Sequence, residues 1–260
     1  MKDYEQPLIV TAVLLVSAAI WEASVRIFEI PPFILPAPST VAAVLMKSHA
    51  ILFWDMLYTL KATLLGFALA VILGVLFAIG IVQSRFVEKI SYTLLVSMNS
   101  LPKVAIAPIF IVWLGTGLAP KVVIATLVAI FAVVVETVHG LKSVPPDMLA
   151  LGRVLGGSRL LMLAKIQLPH ALPYVFAGMK VAIALALVGE IVGEFVASRS
   201  GLGHVILVAQ GQFDIPMMFA ALVILALLGT ALFYAIDLIE RFAIPWHVSQ
   251  RVDDIRSYST

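Results

Sequence analysis

A chain of 260 residues with 62% hydrophobic and only 12% charged side chains has too little polar surface to coat a water-soluble domain, where about a quarter of residues are charged. With a mean hydropathy of +1.09, the composition implies an all-α integral membrane protein. The net charge of +2 gives no basis for nucleic acid as a partner, and the lack of cysteine excludes disulfides, thiolate chemistry and cysteine-bound metals.

Residues 1–6 are a short polar start, and a first membrane span is expected over residues 8–28. Its uncharged part, Leu8 to Trp21, is short against the roughly 20 residues of a spanning helix. Glu22 and Arg26 lie four apart, acid first, so one helix face brings them together near the interface. A cleaved signal peptide is the competing reading, with Ser17-Ala18-Ala19 as a poor cleavage site; the charged pair instead continues the helix. The proline-rich run from Pro31 to Ser39 reads as a rigid linker, after which Ser39 is expected to cap an amphipathic helix reaching about Asp55. Trp54 and Tyr58 suit a membrane interface.

The second span is expected over 59–82, where Gly66, Ala70, Gly74 and Ala78 recur every four residues and let another helix approach closely. The third, 90–114, is interrupted by Pro102 and Pro108 with Lys103 between them, and the fourth covers 121–139. A polar island then runs from Lys142 to Pro169. Pro145-Pro146 break the preceding helix, and Asp147 to Leu155 form a short amphipathic helix with Asp147 at its positive end. Gly156-Gly157 stop it, Ser158 caps a second helix, and Pro169 closes the unit. The fifth span, 171–197, carries Lys180, Glu190 and Glu194; a turn and short helix follow, and Pro216 opens a sixth span over 216–240.

The island carries a resemblance. Gly156, nine intervening residues and Ile166-Gln167-Leu168-Pro169 resemble the coupling loop of ABC importer permeases of the binding-protein-dependent type. The runs Ile34-Leu35-Pro36-Ala37-Pro38-Ser39, Leu101 to Pro108, Trp113-Leu114-Gly115 and Gly201-Leu202-Gly203 are similar to the nitrate/sulfonate/taurine-like branch, so the resemblance spans nearly the whole chain. It implies one permease domain over residues 1–260, a type I fold of six transmembrane helices, and a cytoplasmic coupling helix gripped by an ATPase. The coupling set carried over is Asp147, Ala150, Leu151, Gly152, Arg153, Gly156, Ile166, Leu168 and Pro169. The family acid six residues before the glycine is here Ala150, and two family alanines are Leu151-Gly152, while the Gly and Pro positions that shape the backbone are kept. Implied partners are two ABC ATPase subunits, a second permease copy forming a homodimer, an external solute-binding protein and the lipid of the cell inner membrane. The solutes implied are small anions, sulfonates or heterocyclic vitamin precursors.

The chain is expected to be a transport subunit rather than an enzyme. It has no G-x-x-x-x-G-K-[ST] loop, so ATP is expected on the partner ATPase, and neither cofactor nor metal is expected here. Charges within the spans cost about 2.5–3.5 kcal/mol each to insert, which makes Lys103, Lys180, Glu190 and Glu194 the pathway candidates. Glu190 and Glu194 share a helix face near the outer end of their span, as a gate or as a pair contacting water or a neighbouring helix. Lys103 either lines a wet path and attracts an anion or pairs with Glu136, Glu190 or Glu194. The alternative function is an ion-coupled secondary transporter using Glu190 and Glu194; the inverted repeats that would support it are not evident. An intramembrane enzyme lacks a nucleophile–base set. Lys and Arg fall ten on one side of the six-span topology and five on the other, which places the coupling loop and both termini in the cytoplasm.

Overall fold

A computed structural model describes residues 5–83 and 102–245, and every regular element among them is helical. The elements are α1 (Glu5–Ile27), α2 (Pro38–Lys47), α3 (His49–Gln83), a 3-10 turn (Lys103–Ile106), α4 (Ala107–Leu114) and α5 (Leu118–Lys142). After them come α6 (Pro146–Val154), α7 (Arg159–Met162), a π turn (Leu163–Gln167), α8 (Leu168–Ala197), α9 (Leu202–Gly211) and α10 (Ile215–Ala243). Four stretches of the described residues are long and apolar enough to cross a membrane: His49–Gln83, Leu118–Lys142, Arg159–Val196 and Ile215–Ala243. The chain divides into two units.

The first unit comprises Met1–Thr59 and Ser198–Leu227. Arg26 reaches Glu22 at 2.6 Å, as their spacing requires, and the same carboxylate accepts the Ser39 N–H (3.0 Å) and hydroxyl (2.8 Å). Ser39 is therefore not the expected cap. Ala37 holds the extended cap position and Pro38 occupies the first turn, where its missing N–H costs nothing. The helix so begun ends at Lys47, not near Asp55, and α3 starts at His49, merging the end of the amphipathic segment with the second span. Deeper in the unit, Asp55 and Thr59 accept the N–H groups of Gly201 (2.6 Å) and Leu202 (2.9 Å), capping α9 from a helix far away in sequence. The ring of Trp21 lies 5.8 Å from that of Phe219.

The second unit comprises Leu60–Ala197 and Leu228–Thr260, and its core is the packing of α5 on α8. Ala125, Ala129 and Val133 meet Ala182, Ile183 and Ala186 there, all buried. The small-residue stripe of α3 does what its period implies. A Cβ added at Gly66 would stand 2.5 Å from that of Ala125, and one at Gly74 would stand 2.8 Å from Val133, so α3 lies close on α5. Thr126 donates its hydroxyl to the Gly66 carbonyl at 3.1 Å across the same contact.

Two further expectations change in this unit. Pro169 does not close the loop, because α7, the π turn and α8 form one continuous helical run. Leu168 donates its N–H five residues back to Leu163; the wide turn comes just before Pro169, which has no N–H to give to the Lys165 carbonyl. Lys121, expected to open the fourth span and counted among the five Lys and Arg on the outer side, lies buried in the first turn of α5. Of the expected third span, residues 90–101 lie outside the described residues; the remainder is the 3-10 turn and α4, the helix resuming just before Pro108.

Candidate functional site

The 142–169 loop is rigid for local reasons. Pro145 sits extended ahead of α6, and Asp147 occupies the first turn, where the helix dipole favours a carboxylate. At the other end Gly156 adopts φ +76°, its N–H donating to Arg153 (3.0 Å) while Gly157 donates to Gly152 (2.9 Å). This pair of bonds is a Schellman closure, which needs a left-handed residue. Ser158 then caps α7 by accepting the Leu161 N–H at 3.2 Å.

Gly152 has a reason of its own. A Cβ there would stand 3.0 Å from Ile166 Cδ1 and 3.5 Å from Met162, so the π turn folds back onto α6 at this point. Leu168 and Pro169 continue that turn into α8. The outer face of α6 is apolar and bare: Leu151 is 60%, Val154 83% and Leu155 76% exposed, with Ala150 and Arg153 exposed beside them. Arg153 turns its Nε to the Leu149 carbonyl (3.1 Å) and, with Gln83, Arg159 and Gln167, borders an open cleft of about 730 Å³. A short helix with a locked backbone and a bare apolar face can transmit a push without deforming.

The intramembrane charges fall into three separate settings. Glu190 and Glu194 are fully buried on α8, facing Lys121, which is 2% exposed on α5. Gly193 lets the Lys121 stem lie across it, an added Cβ being 3.2 Å from the Lys121 Cα. The pair packs against the neighbouring helix α5. Lys180 meets two carboxylates of α10, Asp237 at 2.5 Å and Glu240 at 2.6 Å, and Arg241 completes the group with Asp237 at 3.0 Å. Lys103, on the 3-10 turn, holds its ammonium 5.5 Å from the ring centre of Phe131. Sequence reasoning missed Lys121, Asp237 and Glu240 as members of these groups. The available signal was a charge inside an otherwise apolar run, as at Asp237 in the stretch from Ile224 to Ile239. Among the described residues no three His, Asp or Glu side chains gather as a metal site.

Helices long and apolar enough to cross a membrane, joined by a short loop helix with a bare apolar face, are the class of structure in which the comparisons place this chain. The chain belongs to the family of binding-protein-dependent transport system inner membrane components, which matches residues 70–244. The riboflavin transport system permease protein RibX of Chloroflexus aurantiacus is 35% identical over 91% of this chain and 89% of its own. The formylaminopyrimidine transport permease protein ThiX of Halalkalibacterium halodurans is 34% identical over 96% of this chain and all of its own. An aliphatic sulfonates transport permease protein, SsuC, of Bacillus subtilis is 28% identical over 89% and 84%, which bears out the resemblance to the sulfonate branch. In fold, the chain is similar to a chain of the inward-facing MetNI methionine ABC transporter, with a TM-score of 0.60 at 21% identity over 74% of this chain and 94% of that one. The protein is thus a permease subunit of an ABC importer, an all-helical inner membrane protein of the type I class, whose family implies ATPase and binding-protein partners. Neither the family nor the relatives support the alternative of an ion-coupled transporter.

Proposed function

We propose that two copies of this chain, each with six spans and cytoplasmic termini, form the path of an importer driven by two ATPase subunits docked on the 142–169 loops. The observation that carries this reading is the bare apolar face of α6, Leu151, Val154 and Leu155, on a backbone closed by Gly156 and Gly157. Asp147 and Arg153 border that face, while Gly152, Ile166, Leu168 and Pro169 tie it to α8, so that a displacement of α6 reaches the spans. ATP stays on the partner and this chain carries no cofactor, in keeping with its lack of a phosphate-binding loop. An external binding protein delivers the solute. Relatives named for riboflavin, formylaminopyrimidine and aliphatic sulfonates support a small heterocyclic or anionic solute.

Because the chain has no cysteine, single cysteines test the arrangement without background. Leu151→Cys should crosslink to a cysteine placed in the co-expressed ATPase, and Ser200→Cys should react only with a membrane-impermeant maleimide added from outside. Labelling of both from one side would overturn the topology. Absence of any Leu151→Cys crosslink in an active complex would overturn the docking role.

A further inference from the structure

Two guanidinium groups of the 142–169 loop have no carboxylate to answer them among the described residues. Arg153, on α6, gives its Nε to the Leu149 carbonyl at 3.1 Å and keeps its terminal amino groups for something else. Arg159, the first residue of α7, makes neither an ion pair nor a side-chain hydrogen bond within the described residues. Both line the cleft of about 730 Å³, to which Gln83 and Gln167 add their amides and Leu149 and Met162 an apolar wall. That volume falls within the roughly 300–1,000 Å³ of small-ligand sites.

The cleft lies where the apolar stretches end. Gln83 is the last residue of one stretch able to cross a membrane, and Arg159 is the first of another. Gln167 donates its Nε2 to the Leu141 carbonyl at 3.5 Å, one residue short of the end of a third at Lys142. Three ends on one side put the cleft at the depth where hydrocarbon gives way to headgroups. It is also turned from the face offered to the ATPase: at about 3.6 residues per turn, Leu149 and Arg153 lie roughly opposite Leu151 and Leu155. Uncompensated arginines at headgroup depth suit a phosphate, whose oxygens match the guanidinium fork, and the apolar wall suits the lipid that carries it.

We propose that this cleft, between α6, α7 and the end of α3, binds the phosphate of an anionic phospholipid of the cytoplasmic leaflet through Arg153 and Arg159. The inference rests on the permease reading, which puts the loop in the cytoplasm, and goes beyond it. A headgroup seated there lies behind α6, between the loop helix and the span ends, so the leaflet's composition bears on how firmly the loop is backed.

The test is native mass spectrometry of the permease–ATPase complex in neutral detergent, with dioleoyl phosphatidylglycerol, dioleoyl phosphatidylcholine and inorganic phosphate as probes. Phosphatidylglycerol should be retained saturably and in preference to phosphatidylcholine, and an excess of inorganic phosphate should not displace it. Arg159→Gln and Arg153→Gln should each weaken its binding about tenfold, and Arg159→Lys, which keeps the charge and loses the fork, about threefold. Lys165→Gln, an exposed cation of the same loop outside the cleft, should change it less than twofold. Equal retention of the two lipids, no loss in either glutamine variant of the arginines, or an equal loss in Lys165→Gln would overturn the site. Displacement by inorganic phosphate would assign the cleft to a free anion, and a crosslink from Arg159→Cys to the ATPase would assign it to that partner; either overturns the proposal. Co-purification of the ATPase and its basal hydrolysis, measured on the same samples, report separately on the permease reading, so their persistence with a failed lipid result condemns the lipid site alone.

Discussion

Gly157 donates its backbone N–H to the Gly152 carbonyl at 2.9 Å, and a Cβ at Gly157 would stand 2.7 Å from that same oxygen. The bond that closes α6 therefore also forbids a side chain at the residue that makes it. Gly156, one residue earlier, has open space around it but φ +76°. The two glycines are needed for different reasons, and substitutions separate them. Gly156→Asn should cost a few tenths of a kcal/mol and Gly156→Ala about 1–2, since only the left-handed backbone is at stake. Gly157→Ala should cost more, because a backbone carbonyl has to move. Thermal unfolding in detergent ranks them; ATPase co-purification should fall in the same order.

Gly152 departs from the family alanine, and the structure says how easily it could return. The obstacle to a Cβ is the Cδ1 end of Ile166 at 3.0 Å, the tip of a flexible side chain. Gly152→Ala should therefore be neutral or stabilising, by up to about 1 kcal/mol, through helix propensity. Ala150→Glu, on an exposed position, should stay within about 0.5 kcal/mol of the wild type. A melting temperature clearly lowered in Gly152→Ala would mean that Ile166 is fixed and that the fold-back of the π turn is tighter than drawn.

The loop was legible in the sequence because its backbone is set by residues acting within five positions: Pro145, Gly156, Gly157 and Ser158 each dictate a local conformation. The stripe from Gly66 to Ala78 was legible for a similar reason, since a four-residue period of small side chains has one use in a membrane. What was not legible is pairing across distance. Ser39 looks like a cap until Glu22, 17 residues away, takes its hydroxyl. Nothing near Lys180 in the sequence announces its partner Asp237, 57 residues away. Pro169 looks like a terminator because proline usually is one; the π turn that absorbs it has no sequence signature.

The Lys180 group ties α8 to α10, with side chains about one-fifth exposed. Lys180→Met removes the cation from between Asp237 and Glu240 and should destabilise the protein by about 1–3 kcal/mol, discounted for partial solvation. Asp237→Asn combined with Lys180→Met should recover part of the loss, since fewer uncompensated charges remain. The lysine ring contact with Phe233, 5.9 Å to its centroid, survives only in the charged form, so Lys180→Arg should be mild. Full additivity of the two losses in a double-mutant cycle would show that the group is not a unit.

Lys121 makes the sharpest demand. It lies 2% exposed on α5 across Gly193, with Glu190 and Glu194, both fully buried, on the facing helix. Lys121→Met fills the same volume but removes the cation packed against two buried carboxyl groups, leaving the charge they share uncompensated, which should cost about 3–5 kcal/mol. A chain of this size would lose roughly 6–20 °C in melting temperature, at about 2–4 °C per kcal/mol. Glu194→Gln added to Lys121→Met removes one carboxyl group of the buried pair and should restore a good part of that. Gly193→Ala probes the same contact sterically: its Cβ would meet the Lys121 Cα and Cγ at 3.2 Å, so it should weaken the α5–α8 packing by less than the charge change does. If Lys121→Met melts with the wild type while Gly193→Ala does not, the helices are held by shape alone and the charges are idle in this state.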